Sequence, residues 1–296
     1  MICRIQFEQG TLVSGANTLH SRAMKISVIV STYNQPEWLS KVLHGYLSQT
    51  FCDFELLIAD DGSDDRTVAV IGKFQALARF SIRHIWQEDD GFQKTRILNK
   101  AIVAAKGDYL VFSDGDCIPR ADFLKIHAMR AQPGRFLSGG YCKLPNDLSF
   151  EITEADIRSG HAFEIGWLLS KGFRGFSRSL RIAVSPKLAP WLDALTPTKA
   201  TWNGHNASGW KSDILAVNGF NESMQYGGED REMGERLTNL GIRGRQIRHQ
   251  AIMLHLDHKR GYVTPEMIQK NLAIREQVRI SRSVWCPDGI LKRPHP

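Results

Sequence analysis

Short apolar runs alternate with segments of helical periodicity over the first half of the chain. The runs are rich in β-branched residues and predict buried strands at 26–31, 55–59, 82–86 and 109–113. Between them, apolar residues recur at spacings of three and four, which predicts a helix after Pro36, one carrying Val68 to Leu77, and one over about 94–105. This order is typical of an α/β fold, with a mostly parallel central sheet covered by helices on both faces.

The alternation fades after about residue 145, and the second half carries a different pattern. A helical, basic region comes first, followed by a stretch rich in glycine and asparagine from about 203 to 228. Met233, Leu237 and Leu240 then recur at helical spacing, and residues 251–255 form a short apolar run. We therefore predict a helical insertion, a further helix and a last strand.

These patterns also predict how the chain is organised. Residues 1–23 lack periodicity, and we expect them to form a disordered extension. We expect one domain over 24–262, with halves at 24–145 and 146–262. Residues 263–296 are expected to form a C-terminal helix and a flexible tail from Ile290 onward.

Composition narrows the class of protein. The 296 residues are 42% hydrophobic, which is ample for a packed core, and no apolar stretch approaches the roughly 20 residues that cross a bilayer. The start lacks a signal-peptide pattern, and the five cysteines are scattered without a Cys-x-x-Cys pair, which favours reduced thiols in the cytoplasm. The net charge of +7 favours polyanionic partners, but no zinc-finger or RNA-binding signature points to nucleic acid.

Polar groups follow each predicted strand of the first half, at the sheet edge where open α/β sheets bind ligands. They are Ser31-Thr32-Tyr33-Asn34, Asp60-Asp61-Gly62-Ser63, Asp89-Asp90-Gly91 with the nearby Lys94, Arg96 and Asn99, and Asp114-Gly115-Asp116. Two strand-end carboxylates one residue apart can hold a divalent cation. Neither the glycine-rich dinucleotide fingerprint nor the phosphate loop of NTPases occurs in the sequence, so carboxylates and a metal are expected to hold a nucleotide.

These motifs resemble the nucleotide-binding half of family 2 glycosyltransferases, which have the GT-A fold. The second half resembles the segment shared with galactosyltransferases and bacterial chondroitin-type polymerases. It carries the resemblance in Asn206 to Asp213, Val217-Asn218-Gly219-Phe220, Tyr226-Gly227-Gly228-Glu229-Asp230 and His255-Leu256-Asp257-His258. The resemblance covers about 25–262 and makes 24–145 a nucleotide-binding half and 146–262 an acceptor half.

The resemblance implies a role for each motif residue. Asp61 would contact uracil beside Thr32, Tyr33 and Asn34, Asp114 would contact the ribose, and Arg96 would lie near the base or the diphosphate. Asp116 and His255 would hold the metal, with His258 as the weaker candidate, and a mixed carboxylate and imidazole shell favours Mn²⁺ over Mg²⁺. Gly228 would bring backbone close to the donor, and Trp210 would either stack on a sugar or simply pack.

The resemblance further implies an inverting, metal-dependent enzyme. Asp230 would be the catalytic base and Glu229 would hold sugar hydroxyls, because a sugar hydroxyl must lose its proton as it attacks the anomeric carbon. The expected reaction moves a sugar from a UDP-sugar to a glycan or glycolipid acceptor in lipopolysaccharide or capsule synthesis. Departures from the family pattern at His205, at Ala207-Ser208-Gly209, at Tyr226 and at Asp257 leave both sugars unidentified.

Two rival functions and one surface feature stay open at this point. The rivals are a sugar-phosphate nucleotidyltransferase, which needs a basic glycine-rich loop after the first strand, and a non-catalytic glycan- or membrane-binding module, which needs no base. Residues 161–182 carry an apolar stripe from Ile165 to Leu180 opposite basic residues. The stripe is typical either of a helix on the anionic inner face of a membrane or of a solvated helix over the sheet.

Overall fold

The computed structural model describes residues 24–174, 181–258 and 263–292, with a seven-stranded sheet at the centre. The strands are β1 (Ile26–Thr32), β2 (Phe54–Asp60), β3 (Ile82–Trp86), β4 (Tyr109–Asp114), β5 (Cys117–Pro119), β6 (Arg135–Ser138), β7 (Gly140–Lys143), β8 (Asn206–Trp210), β9 (Arg243–Gln246) and β10 (Ile252–His255). The central sheet runs β3-β2-β1-β4-β8-β6-β9. Only β8 is antiparallel to its neighbours, so the described sheet is mostly parallel, as predicted.

Helices cover both faces of this sheet. Their bounds are α1 (Pro36–Leu47), α2 (Asp65–Leu77), α3 (Lys94–Ala104), α4 (Phe123–Arg130), α5 (Asn146–Glu151), α6 (Glu154–Ser159), α7 (Ile165–Ser170), α8 (Ala189–Leu195), α9 (Lys211–Ala216), α10 (Glu229–Asn239) and α11 (Pro265–Ser281). Side chains of β1 alternate between two cores: Val28 and Val30 pack with α1, whereas Ile29 packs with α3. Burial on both faces explains why β1 is apolar without interruption.

A smaller sheet brings a late histidine to the main sheet edge. In this sheet β10 lies between β5 and β7. The antiparallel pairing with β5 sets His255 opposite Cys117, the residue that follows Asp116. Two positions separated by 139 residues in the chain therefore meet at one place, which the strand register fixes.

The single helix predicted over 161–182 is wrong in its described part. The chain forms a 3₁₀ turn at His161–Phe163 and then α7, which ends at Ser170. Gly172 follows with φ of 81°, a left-handed conformation that glycine adopts readily and that stops the helix. Leu168 and Phe173 of the apolar stripe are buried in the core. Residues 175–180 lie outside the described ranges.

The described end of the chain is docked on the domain, although the sequence predicts a flexible tail from Ile290. The side chain of Asn218 donates to the carbonyls of Cys286 (2.6 Å) and Leu291 (2.9 Å), and Lys292 pairs with Glu222 at 2.8 Å. These bonds fix residues 290–292. Helix α11 lies where a C-terminal helix is predicted, while 1–23 and 293–296 lie outside the described residues.

No helix in the described parts of the chain combines the length and the apolar character needed to span a bilayer.

Candidate active site

A cavity of about 430 Å³ opens at the carboxyl ends of β1, β2 and β4. This volume is within the range of small-molecule and cofactor sites. Its wall includes six residues that the sequence assigns to nucleotide, sugar or metal: Thr32, Tyr33, Asn34, Asp61, Asp114 and Asp116. Lys94, Phe92, Tyr226 and His258 also line it. The fold therefore brings half of the predicted site residues to one cavity, while Gly228, Glu229, Asp230 and His255 are not part of its wall.

Asp61 is a buried carboxylate held by two donors. The side-chain nitrogen of Gln87 donates to Oδ1 at 2.6 Å, and the backbone N–H of Gln93 donates to Oδ2 at 2.9 Å. Burial raises the pKa of Asp61 to about 6, although these two hydrogen bonds oppose the rise. Each carboxylate oxygen has a second lone pair, so Asp61 can still accept a hydrogen bond from a ligand.

The turn after β2 is built to present Asp61. Asp60 is fully buried, accepts from the Ser63 backbone N–H at 2.9 Å and pairs with His84 at 2.8 Å. Gly62 has φ of 97°, and a Cβ there would lie 2.6 Å from the backbone of Asp89. Asn34 ties β1 to this turn, because its amide oxygen accepts from the Asp64 backbone N–H at 2.8 Å. Asn34 thus lines the cavity and also supports its wall.

Lys94 forms a partly buried ion pair with Asp114 in the cavity wall. Its ammonium nitrogen lies 2.7 Å from Oδ1 of Asp114, which also accepts from the Ser31 hydroxyl at 2.7 Å. Burial alone would raise the pKa of Asp114, but Lys94 outweighs it and the pKa lies below its ordinary value. Burial would lower the pKa of Lys94, but Asp114, Glu229 and Asp230 outweigh burial and raise it. Lys94 is therefore the cation shared by the three carboxylates.

Asp116 lies against two imidazoles at the other side of the cavity. Its Oδ2 is 2.8 Å from Nε2 of His258 and 3.6 Å from Nε2 of His255. Burial would raise the pKa of Asp116, but the hydrogen bond with His258 and the charge of His255 outweigh burial and lower it well below its usual range. The structure thus places both histidines beside Asp116, and His258 is the closer one.

The residues around Asp116 fit a divalent cation. Ligand atoms of Asp116, Cys117 and His255 lie within 4.8 Å of one another, and Nδ1 of His255 is buried without a hydrogen-bond partner among the described residues. Cys117 is fully buried, and thiolate is a soft ligand that suits zinc or copper better than Mg²⁺ or Mn²⁺. Carboxylate oxygen and imidazole nitrogen remain, and these donors suit Mn²⁺.

Glu229 and Asp230 begin α10, directly after Gly227 and Gly228, whose φ angles are 114° and 89°. Asp230 accepts from the backbone N–H of Gly204 at 2.9 Å, which fixes its carboxylate toward the segment leading into β8. The left-handed glycines turn the chain so that both acids lie at the helix N-terminus, where negative charge is stabilised.

Glu229 is the more deeply buried of the two acids. It accepts from the backbone N–H of Gly227 at 2.9 Å. Burial raises the pKa of Glu229 to about 7, with a further rise from Asp230 and an opposing effect from Lys94. A carboxyl group with a pKa near the working pH is suited to proton transfer. Glu229 and Asp230 are therefore both candidates for the catalytic base.

Two predicted ligands lie away from the cavity. Trp210 pairs with Tyr109 at the amino end of β4, whereas Asp114 ends the same strand, so the fold does not bring Trp210 to the site. The Trp210 ring packs edge-on against Tyr109, with ring centroids 5.2 Å apart, and we withdraw its sugar-stacking role. Arg96 does not line the cavity and instead lies 3.8 Å from Asp90 at the surface. Lys94, two residues before Arg96 on α3, lines the cavity where Arg96 was predicted to lie.

Sequence reasoning did not assign roles to Lys94 and His205. Nε2 of His205 is buried without a hydrogen-bond partner among the described residues. The ring packs edge-on against Tyr141, with centroids 4.7 Å apart, and its centroid is 6.5 Å from that of His255. Burial lowers the pKa of His205. A neutral imidazole in this position suits contact with a sugar. The departure of His205 from the family pattern is the signal in the sequence that could have identified it.

Two family models match the chain in sequence order. The model described as glycosyl transferase family 2 matches residues 27–154, and the model described as the N-terminal domain of galactosyltransferase matches residues 199–259. YfnE, a glycosyltransferase of Bacillus subtilis, is 26% identical over 284 residues, covering 84% of this chain and 69% of the relative. These matches give no support to the nucleotidyltransferase or the non-catalytic module.

Solved structures share the fold. S. aureus TarS in complex with UDP-GlcNAc superposes with a TM-score of 0.57 at 17% identity, covering 87% of this chain and 66% of that one. The mannosyltransferase PcManGT from Pyrobaculum calidifontis, in complex with GDP-Man and Mn²⁺, superposes with a TM-score of 0.54 at 19% identity. That match covers 82% of this chain and 59% of PcManGT. The chain therefore spans less than two thirds of either protein, and the predicted GT-A fold is confirmed.

Proposed function

The chain belongs to the family 2 glycosyltransferases and carries a galactosyltransferase-like second segment, and we propose that it moves a sugar from a UDP-sugar to a hydroxyl group of a glycan acceptor. One observation carries the proposal. A buried carboxylate (Asp61) and a carboxylate–ammonium pair (Asp114 with Lys94) line one cavity. A carboxylate–imidazole cluster (Asp116 with His255) adjoins it, and a helix-start acid pair (Glu229 with Asp230) lies near enough to act on the pKa of Lys94. Asp61 suits the base of a nucleotide, the Asp114 and Asp116 groups suit its ribose and diphosphate with a metal, and the acid pair suits the acceptor hydroxyl.

Asp61 is proposed to read the base. Uracil presents an imide N–H, and the ionised Asp61 carboxylate can accept it through a lone pair that Gln87 and Gln93 leave unused. Cytosine lacks a donor at that ring position. Tyr33 lies at the cavity rim, where its hydroxyl donates to Asp89 at 2.8 Å, and its ring is available to stack on the base. The TarS complex with UDP-GlcNAc supports a UDP-sugar for this fold.

Asp116 and His255 are the residues that would hold a divalent cation, with His258 beside them. A bound Mn²⁺, or Mg²⁺ in its place, would supply positive charge next to the departing diphosphate. Lys94 adds a protein cation on the Asp114 side of the cavity. The PcManGT complex with Mn²⁺ supports a divalent cation in an enzyme of this fold.

Asp230 is proposed to take the proton of the acceptor hydroxyl. The Gly204 N–H holds one of its oxygens, which fixes the carboxylate for proton transfer. A single base opposite the leaving group gives one displacement at the anomeric carbon, and hence inversion. Glu229 is proposed to bind sugar hydroxyls from its buried position.

The proposed acceptor is a surface glycan of the lipopolysaccharide-core or capsule type. The similarity to TarS, a poly(ribitol-phosphate) β-N-acetylglucosaminyltransferase, supports an acceptor that is part of a cell-surface polymer. This chain and TarS are 31% identical over 104 residues, which cover 34% of this chain and 18% of TarS. The donor-side groups do not depend on this choice.

Replacement of the base tests the proposal. We expect Asp230→Asn to lower kcat for UDP-sugar turnover by on the order of 10²-fold or more, while UDP-sugar binding stays nearly intact, because the amide keeps the shape but cannot accept the proton. Glu229→Gln is the matched control and should change the KM for sugar more than kcat. Near-parental kcat in Asp230→Asn together with a large loss in Glu229→Gln would move the base to Glu229.

A further inference from the structure

Helix α8 turns its apolar side toward solvent. Leu188, Trp191, Leu192 and Leu195 recur at the spacing of one helix face, and all four are exposed, Trp191 by 71% and Leu195 by 76%. The opposite face carries the buried Ala189 and Asp193. A surface helix normally shows the reverse arrangement, with apolar residues inward. This outward-facing stripe is called the α8 surface below.

The orientation of α8 is fixed by polar bonds on its inner side. The carboxylate of Asp193 accepts from the backbone N–H of His249 at 2.9 Å, lies 2.8 Å from Nδ1 of the same residue, and accepts from the side-chain nitrogen of Gln250 at 2.8 Å. A rotation that buried Trp191 would break these bonds and expose a buried carboxylate. The fold therefore holds the apolar stripe outward.

The rim of the α8 surface is basic. Asp193 is the sole acidic residue between positions 181 and 212, and its carboxylate points inward. The chain after α8 lies along β9, since Thr198 accepts from the side chains of Gln246 (3.3 Å) and Arg248 (3.2 Å). Lys187 directly precedes Leu188, and Lys199 directly follows Thr198. Burial and the charge of Arg181 lower the pKa of Arg248, which places these two arginines near each other and near Asp193. The basic rim thus consists of Arg181, Lys187, Lys199 and Arg248.

Arg181 connects the basic rim to the histidines beside Asp116. The Arg181 guanidinium donates to the carbonyl of Tyr141 at 3.2 Å. The Tyr141 ring packs against His205 and His255, with centroids 4.7 and 5.6 Å away. Arg181 and Tyr141 therefore link the basic rim to the metal side of the site.

We propose that the α8 surface docks on an anionic lipid bilayer. Exposed Trp and Leu side chains ringed by Lys and Arg are the combination that binds the interface of negatively charged membranes. A second copy of this chain is the poorer occupant, because a two-fold contact would set one basic rim against the other. The surface differs from the stripe between Ile165 and Leu180, for which the sequence left membrane docking open, since Leu168 and Phe173 are buried. Docking here would turn the acceptor half toward lipid-anchored glycans, a consequence that rests on the proposed function, whereas the docking itself does not.

Co-sedimentation with vesicles tests the docking independently of catalysis. The full chain should bind vesicles of phosphatidylcholine with phosphatidylglycerol at low salt and should not bind phosphatidylcholine alone. Trp191→Ser with Leu195→Ser should lower the partition coefficient by on the order of tenfold or more. Leu272→Ser with Ile280→Ser, two exposed apolar residues of α11, is the matched control and should leave binding unchanged. Circular dichroism checks that both pairs fold.

The basic rim gives a second, separate readout. Lys187→Gln and Lys199→Gln should each weaken binding by about fivefold, and added salt should weaken the parent most. Sedimentation velocity distinguishes the second-copy occupant. Absence of binding to anionic vesicles at low salt, equal binding to neutral vesicles, or a dimer that Leu195→Ser dissociates would each overturn the proposal. The Trp191→Ser, Leu195→Ser variant should release UDP at the parental level, because the docking is independent of catalysis.

Discussion

Replacement of Asp61 by Asn should make the ligand-free protein more stable while it weakens UDP binding. Burial raises the pKa of Asp61 from 3.8 to about 6, so the ionised carboxylate costs free energy in the folded chain. Such a group contributes most stability below pH 4, where both states are protonated, and loses that contribution as the pH rises through about 6. At pH 8 the neutral amide should therefore gain on the order of 2 kcal/mol, or a few degrees in Tm.

The structure shows how Asn can be accommodated. Its oxygen keeps the hydrogen bond from the Gln93 backbone, and its nitrogen would face Gln87. The side-chain oxygen of Gln87 has no hydrogen-bond partner among the described residues, so a flip of the Gln87 amide gives the new N–H an acceptor, at the cost of the 3.3 Å bond that the Gln87 nitrogen donates to the Gln93 carbonyl. The charge is lost but the packing is kept, so a change in binding reports on the charge.

UDP affinity should fall by roughly 10- to 100-fold in Asp61→Asn at pH 8, because a charge-assisted hydrogen bond contributes about 1.5–3 kcal/mol. In the parent, UDP binding should weaken by about tenfold from pH 8 to pH 5, as a carboxyl group of pKa near 6 is mostly protonated there. The variant should lose that part of the pH dependence, and it should discriminate less between UDP and CDP. Calorimetry at both pH values measures these effects.

Asp213→Asn is the matched control. Burial raises the pKa of Asp213 as well, but this residue lies on α9 and does not line the cavity. The control should gain stability at pH 8 without a change in UDP affinity. A less stable Asp61→Asn protein that binds UDP as tightly as the parent would refute the assigned role of Asp61.

Two further predictions concern the metal and the central cation. Asp116→Asn and His255→Ala should each weaken Mn²⁺ binding by at least tenfold in electron paramagnetic resonance titrations. His258→Ala shows whether the closer imidazole is also a ligand. Unchanged Mn²⁺ affinity in all three variants would remove the metal from this site. Lys94→Met leaves the partly buried Asp114 without its cation and should lower the free energy of unfolding in urea by about 1.5 kcal/mol, whereas a loss below about 0.3 kcal/mol would mean that the pair adds nothing to stability.

The sequence predicted the donor side of the site well because local rules determine it. Each strand of the first half is an apolar run, and parallel strands place their carboxyl ends at one edge, so Asp61, Asp114 and Asp116 could be expected to meet. The link to His255 came from family resemblance, since only the register of the smaller sheet brings it beside Asp116.

The remaining residues depend on contacts that no local pattern encodes. Trp210 ends a strand antiparallel to β4, which sends it to the far edge, and strand direction cannot be read from its sequence. Lys94 and Arg96 are two residues apart on α3, and only the rotation of the helix decides which faces Asp114. The outward stripe of α8 is set by Asp193, whose partners lie more than 50 residues away.

Release of nucleoside diphosphate tests the central claim most directly. The purified full chain is incubated with Mn²⁺ and, separately, with UDP-, GDP- and CDP-sugars, and the free diphosphate is quantified by chromatography, with water or a short glycan as acceptor. The account predicts that UDP is released from at least one UDP-sugar, and that EDTA or Asp230→Asn abolishes the release. Release from GDP-sugars alone, or release that persists in EDTA, would contradict it.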